Sequence, residues 1–350
     1  MKTFIHYFKL MCIQAKNSEY HGVLSQLFEM TIVFIRCRVG PGYYQMADMG
    51  RKKFDWKYKL GFLNGKSYIK RVDTINDPLY YSTTYNKVVE KCLFTLFSIP
   101  TPKVLGFLHV DRGHFFGENN LRTLEDLTSL CLKNINKKVC IKPVSGFGGE
   151  GFRLVEIHQH SNTLFLYCLK DHKEIPIDEY FNSLNLKETD GFLVEEHFKQ
   201  HNVLSKLNPT SLNTLRIMIY KPDNQPATCL GAFLKLGRNG SIVDNGAAGG
   251  IISKVNLDTG TLEPAMIVSS RYETYNNHPD SDEIINGTPI PFLNDAIELA
   301  KKSLEPFPGI RHIGADIAIG PQGPAVIELN ARADYVDYAI LNVPSKLALS

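Results

Sequence analysis

The sequence predicts an α+β fold in which strands pair with antiparallel neighbours, and three observations carry that prediction. Residues 84–97 repeat apolar side chains at helical spacing, with Val88, Cys92 and Leu96 on one stripe and Val89, Leu93 and Phe97 beside it. Residues 139–157 place a glycine-rich loop between two β-runs, where a doubly wound fold would need a helix after the loop. Residues 310–332 read as two apolar strands joined by a Gly-Pro turn.

The 350 residues allow two or three domains and a large core, and 43% hydrophobic with 21% charged residues is ordinary for a globular enzyme. A net charge of +3, with no long run of Lys and Arg, gives no reason to expect a nucleic-acid partner. The seven cysteines are scattered and never in CxxC spacing, which reads as reduced thiols in the cytoplasm rather than a zinc site or a disulfide frame. In residues 1–16, His6 and Lys9 interrupt the apolar part and no small-residue cleavage site follows, so a signal peptide is not expected. No stretch reaches the roughly 20 apolar residues a membrane span needs. The expected location is cytoplasmic, with peripheral contact at the inner membrane surface left open by residues 23–35.

Taken in order, residues 23–35 (VLSQLFEMTIVFI) form an amphipathic helix that carries Gln26 and Glu29 and is expected to dock on a core, although such a helix can also lie on a membrane. Residues 51–68 mix aromatic and basic side chains around Trp56, and half-buried surface packing explains them better than single-strand or sugar binding. The helix over 84–97 holds Asn86 and Lys87 in its first turn, where backbone N–H groups favour an anion, and Pro100 and Pro102 stop it. A second short helix follows over 123–133.

The loop within VCIKPVSGFGGEGFRLVEI contains Gly146, Gly148, Gly149 and Gly151, preceded by Lys142 and Ser145. Gly146, Gly148 and Gly151 formally match GxGxxG, but strands flank the loop on both sides, and a P-loop is excluded by the missing GK[ST]. A flexible flap over phosphates fits better, because glycine exposes backbone N–H groups and Lys142 adds a point charge.

Residues 191–200 run as an apolar strand into Glu195, Glu196, His197 and Phe198, a connector whose backbone suits an adenine edge and whose carboxylates suit ribose hydroxyls. In residues 201–220, Asn213 and Arg216 enter another β-run, and Arg216 is the only cation near a strand of Leu, Ile and Met, so it needs an anionic partner, structural or phosphate. Residues 244–250 form a small-residue loop that either lets backbone approach a ligand or only turns the chain, and residues 272–291, with His278, form a long polar loop of functional length. Residues 292–304 are the next helix. In the hairpin over 310–332, Asp316 lies on the first strand, and Glu328 and Asn330, two apart, share a face of the second. Two carboxylates and an amide oxygen make a hard oxygen site of the kind that suits magnesium.

These phrases in this order (NK at Asn86-Lys87, KPVSGFGGEG, HNVLSKLNPTSLNTLR, VDNGAAGG, HPDSDEIINGTPIP, then IGADIAI with GPAVIELNA) resemble the sugar-transfer-associated family of the ATP-grasp superfamily. The resemblance implies two α+β subdomains that grip ATP between antiparallel sheets, behind a mainly helical N-terminal extension. Its divisions would be 1–83 for the helical and aromatic-basic region, 84–196 for the lid subdomain with the flap, and 197–350 for the catalytic subdomain. It further implies ATP and magnesium, with manganese as an alternative, as cofactors. Lys87 and Lys142 would hold the α- and β-phosphates under the Gly146–Gly151 flap, with Ser145 and Asn213 beside the nucleotide. Glu195 and Phe198 would meet adenine through backbone, with Glu195 or Glu196 near the ribose. Asp316, Glu328 and Asn330 would bind the metal, and Arg216 would stabilise the transferring phosphoryl group. Ala331-Arg332-Ala333 departs from the proline common in such ligases, and Arg332 and the His278 region are the candidates for the acceptor side. The implied activity is carboxylate–amine ligation through an acyl phosphate on a small-molecule sugar or glycan precursor. The alternatives are a sugar or polyol kinase and a non-catalytic glycan-binding protein.

Overall fold

The computed structural model describes residues 2–115, 120–146, 148–161, 163–244, 246, 249–267 and 270–350. Phe147 of the flap and Asn245, Ala247 and Ala248 of the small-residue loop lie outside the described residues. Ahead of the first strand come α1 (Lys2–Gln14), α2 (Val23–Cys37), α3 (Pro41–Met46), α4 (Trp56–Lys59), α5 (Gly65–Ile75), α6 (Tyr81–Tyr85) and α7 (Lys87–Leu96). None of the described helices is long and apolar enough to cross a membrane.

Helix α2 docks as expected, but not by an apolar face alone. Gln26 is 0% exposed and Glu29 6%, alongside Val33, while Leu24, Phe28, Phe34 and Ile35 face outward. The sequence is apolar nearly all round, so periodicity could not say which edge turns in. The partners decide it: the Glu29 carboxylate lies 2.7 Å from Lys59 of α4 and accepts a 2.6 Å hydrogen bond from Tyr44 of α3. A paired, hydrogen-bonded charge can be buried; an unpaired one cannot. Trp56 in the aromatic-basic stretch is half-exposed, as a packing role requires.

Two antiparallel sheets follow. The first contains β1 (Val104–Leu108), β2 (His114–Phe115), β3 (Lys138–Pro143), β4 (Arg153–His160), β5 (Thr163–Cys168), β6 (Lys173–Pro176) and β7 (Phe192–Glu196), in the order β2-β1-β7-β3-β4-β5-β6. Strand alternation sends Val139, Ile141, Val155, Ile157, Leu164 and Leu166 to a core closed by α8 (Leu124–Leu132) and α9 (Ile177–Ser183). The same alternation leaves Cys140, Lys142, Leu154 and Glu156 on the opposite, open face. Thr123 and Asp126 start α8 with reciprocal caps, which places the helix where the sequence predicts it.

After α10 (Asn202–Leu207) the second sheet is built from β8 (Thr214–Tyr220), β9 (Thr228–Leu236), β10 (Ile251–Asn256), β11 (Thr261–Leu262), β12 (Ala265–Ile267), β13 (Ser270–Tyr275), β14 (His312–Gly320) and β15 (Gly323–Asn330). Its main path runs β13-β12-β10-β9-β8-β14-β15. Leu215, Ile217, Ile219, Ile313, Ala315, Ile317 and Ile319 point into the largest core, against α11 (Leu293–Lys302), α7 and α10. Thr214, Arg216 and Asp316 therefore share the other face.

The N-terminal helices are pinned to that second sheet. Asn76, 1% exposed, donates to the carbonyls of His312 and Ala331 at 2.7 Å each and accepts from the N–H groups of Arg311 and His312 at 2.8 Å. His312, buried beside Tyr68 of α5 at 3.0 Å, is kept neutral by burial, its pKa lowered to about 4. Helix α12 (Tyr335–Leu341) packs beside α5, and α13 (Ser345–Ala348) ends the chain.

Candidate active site

The two open faces look at each other across a cavity of about 760 Å³, within the usual range for a small-molecule site. Lys87, Lys142, Ser145, Gly146, Gly148, Gly149, Glu195, Glu196 and Phe198 line it from the side of the first sheet, and Arg216, Asp316, Glu328 and Asn330 from the second. So the structure brings together most of the residues the sequence singled out.

On the first sheet the ruling interaction is buried. Glu195, 0% exposed, holds Lys142 at 2.5 Å and Lys91 at 3.4 Å. Burial opposes ionisation of Glu195, but Lys142 and then Lys91 outweigh it and keep the carboxyl below its usual range. Burial works equally against the charge on Lys142, and Glu195 more than offsets it, so its pKa rises. Burial wins for Lys91, whose pKa is lowered despite Glu195. The Lys91 ammonium also donates to the carbonyls of Ile327 at 3.0 Å and Val326 at 3.3 Å, which belong to β15. One helical lysine thus ties the first sheet to the second. Its neighbour Glu90 accepts from the Leu329 N–H at 2.8 Å and is pushed up to about 8 by burial, which Lys91 only partly offsets.

Helix α7 begins at its Asn86 cap, whose side chain accepts from the N–H groups of Val88 and Val89. Lys87 then reaches the flap and donates to the Gly146 carbonyl at 3.1 Å. Gly149 holds φ +76 and Gly146 φ +141, which only glycine adopts without strain. Gly151 serves the turn instead: a Cβ there would sit 2.7 Å from Pro143, and the residue does not line the cavity.

On the second sheet Arg216, Asp316 and Glu328 are paired in register across β8, β14 and β15, so they stand in one row. A bulge after Asp316 leaves Ile327 unpaired, and Lys91 occupies the carbonyl it frees. Arg216 lies 2.9 Å from Asp316 and 4.0 Å from Asp337 of α12. Lys235 of β9 comes within 3.1 Å of Asp316 and 3.9 Å of Asp244, which also accepts from Thr214 Oγ1 at 2.6 Å. Burial disfavours the charge on Asp316, but Arg216 and Lys235 outweigh it and lower its pKa. Asp337, 4.0 Å from the same arginine, is pushed up by burial to about 6, which Arg216 only partly offsets.

The Asp316 and Glu328 carboxyls come within hydrogen-bond reach of each other. Among the described residues no cation lies within ion-pair distance of Glu328, so this contact has room for a positive species. Together with the amide oxygen of Asn330, these oxygens fit a hard divalent cation by donor chemistry and by their shared face.

Some expectations need correction. Asn213 lies beneath the cavity, 0% exposed, donating to Leu204 O at 3.1 Å and Asn208 O at 2.9 Å; it fastens the loop, and Thr214 faces the cavity in its place. His278 is 1% exposed, with Nε2 within 3.0 Å of Gly237 O and Nδ1 accepting from the Asp280 N–H at 3.2 Å, so it organises its own loop and is closed to an acceptor. The Glu195 side chain is taken up by the two lysines, whereas Glu196 pairs with exposed Lys103 at 3.0 Å on the cavity rim. Arg332 is absent from the main cavity; it chelates Asp73 at 2.8 Å, lies 4.4 Å from the Tyr81 ring centre and lines a second cavity of about 310 Å³. That smaller cavity shares Lys87, Gly146, Glu328 and Asn330 with the first. The sequence reading missed Lys91, Lys235, Asp244 and Asp337. Lys235 carried the same signal as Arg216, a lone cation in an apolar strand; Lys91 carried none.

A family model described as sugar-transfer associated ATP-grasp matches residues 66–347. No curated protein matches the chain. Among solved structures it is similar to an N5-carboxyaminoimidazole synthetase from Staphylococcus aureus complexed with ADP, at 12% identity and TM-score 0.41, covering 76% of this chain and 54% of that one. It is also similar to a biotin carboxylase–β,γ-ATP complex from Campylobacter jejuni, at 12% identity and TM-score 0.43, covering 76% and 43%. A D-alanine-D-alanine ligase from Helicobacter pylori matches at 11% identity and TM-score 0.41, covering 76% and 60%. The chain thus spans about half the length of the solved structures it resembles.

Breaking the buried triad has a definite expected cost. Glu195→Gln leaves two buried ammonium groups without a counter-charge and should lower stability to denaturant by about 3 kcal/mol or more. Adding Lys91→Met should recover part of that loss, as a denaturation series on the two variants can check; additive losses would contradict the pairing.

Proposed function

This chain belongs to the sugar-transfer associated ATP-grasp family, and on that premise we propose that it is an ATP-dependent carboxylate–amine ligase acting on a sugar acid or glycan precursor. One observation carries the reading: two cavities, one of nucleotide size and one smaller, meet at Lys87, Gly146, Glu328 and Asn330. The junction is where a γ-phosphoryl group would pass from one ligand to the other.

In this reading residues 84–196 and 197–350 act as the two jaws, with residues 1–83 as the extension that buttresses the second. Lys142, oriented by Glu195, and Lys87 hold the phosphates, and the flap folds over them. Glu196 and Phe198 border the base and ribose. Asp316, Glu328 and Asn330 hold magnesium, which when bound neutralises phosphate charge and aligns the reacting oxygens. Arg216, fixed between Asp316 and Asp337, meets the charge that develops on the transferring phosphoryl group.

The substrate carboxylate attacks the γ-phosphorus, the bond to ADP breaks, and an acyl phosphate forms. An amine then attacks the acyl carbon, phosphate leaves, and the amine nitrogen loses its proton to give the amide. The smaller cavity suits the acid: Lys87 and Arg332 supply cations, and Tyr81, Ser82, Thr84 and Tyr85 supply hydroxyls of the kind that meet a sugar. Incubation with ATP, magnesium, uronic acids and amines should yield ADP, free phosphate and an amide. A phosphorylated sugar without amide would sink the ligase reading and establish a kinase. Glu328→Gln should cut turnover by at least about 100-fold with the fold intact by circular dichroism.

We infer also that the outer face of α2 rests on an anionic membrane surface. Leu24 is 83% exposed, Phe28 60% and Ile35 59%, and Ile13 of α1 is 55% exposed. Lys9, Lys16, Arg36 and Arg38 are exposed around them, α1 has no acidic residue, and the one acid of α2, Glu29, is buried. Exposed apolar side chains on two helices that expose cations and no acidic side chain match an anionic bilayer better than another protein surface. The protein should cosediment with vesicles rich in phosphatidylglycerol and not with phosphatidylcholine alone, and Leu24→Glu with Phe28→Glu should abolish this. Failure to bind, or a dimer that the same pair of changes dissociates, would contradict it.

A further inference from the structure

Away from the cavities, three side chains converge on the open face of the first sheet at its far edge. His158 and His160 lie two apart on β4, so both imidazoles project on one side. Glu174 of β6 reaches over β5 to meet them: its Oε1 lies 2.7 Å from His158 Nδ1 and 3.1 Å from His160 Nε2. The three donor atoms all fall within 4.8 Å of one another.

The rings are held before any ligand arrives. His158 stacks on Tyr167 of β5 with centroids 5.9 Å apart and planes 18° from parallel, and His160 leans on Phe165 at 5.3 Å. The second nitrogen of His158, Nε2, faces the Glu156 carboxylate at 3.7 Å. A carboxylate on that side of the ring favours positive charge at the site. His160 is 60% exposed, so solvent can complete the coordination.

We propose that His158, His160 and Glu174 form a binding site for a divalent transition metal of the zinc class, distinct from the all-oxygen trio of the active site. Two imidazoles and one carboxylate select zinc, nickel or cobalt over magnesium, which prefers oxygen donors and retains its waters. The bound ion clamps β4 to β6 across β5. Glu156 and Tyr167, which border the cluster, also line the main cavity. The clamp therefore stiffens one wall of the nucleotide cleft.

The test is a titration of the full, untagged, metal-stripped chain with zinc followed calorimetrically, and with cobalt followed by visible absorption. One equivalent of each metal should bind, with a cobalt spectrum of low coordination number. His160→Ala and Glu174→Ala should each weaken zinc by about tenfold or more, and Glu328→Gln should leave zinc binding unchanged. All three positions are partly exposed, so circular dichroism should report folded variants. Absence of zinc binding, or binding that survives loss of both histidines, would overturn the site. Binding lost only in Glu328→Gln would assign the metal to the active-site trio instead.

Discussion

The buried Glu195 carboxylate is the constraint on which the rest depends. Without Lys91 and Lys142 it could not stay ionised out of reach of water between two sheets, and without it neither lysine could remain there as a cation. Because Lys91 also holds the carbonyls of the β15 bulge, the same charge cluster fixes how the first sheet meets the second. The bulged Ile327 directly precedes Glu328, so the orientation of the proposed metal ligands is linked to the orientation of the proposed phosphate lysine.

The second sheet repeats the logic with opposite polarity. Its odd-numbered residues on β8 and β14 build an apolar core, and the opposite face carries a row of one cation and two carboxylates, Arg216, Asp316 and, on β15, Glu328. Asp316 is neutralised by Arg216 and Lys235, whereas Glu328 has no such partner among the described residues. The asymmetry leaves one acidic position free to attract a cation while its neighbour keeps the geometry.

Much of this was legible in the sequence, for identifiable reasons. A charged residue inside an apolar strand has few ways to be stable, so Arg216, Asp316 and Glu328 announced a buried polar site. Glycines between two strands announced a flap. Asn213 and His278 looked equally polar and equally well placed, yet the structure spends their hydrogen bonds on their own loops, a distinction that depends on partners distant in sequence, such as Gly237. Helix α2 docks as expected, but its inward face was hidden: with apolar residues around most of its circumference, only Lys59 and Tyr44, reached through the tertiary fold, could reveal that Glu29 turns inward. The His158–Glu174 cluster was invisible for the same reason, since its members meet across an intervening strand.

Under the proposed function a nucleotide binds between the two sheets, gripped through metal and Lys142. Calorimetric titration of the full chain with ATP tests it most directly. One site per chain should appear, dependent on magnesium, competed by ADP, and weakened by about tenfold or more in Lys142→Met, as expected when a charge-assisted phosphate contact is removed. Binding that is indifferent to both magnesium and Lys142, or no binding at all, would contradict it.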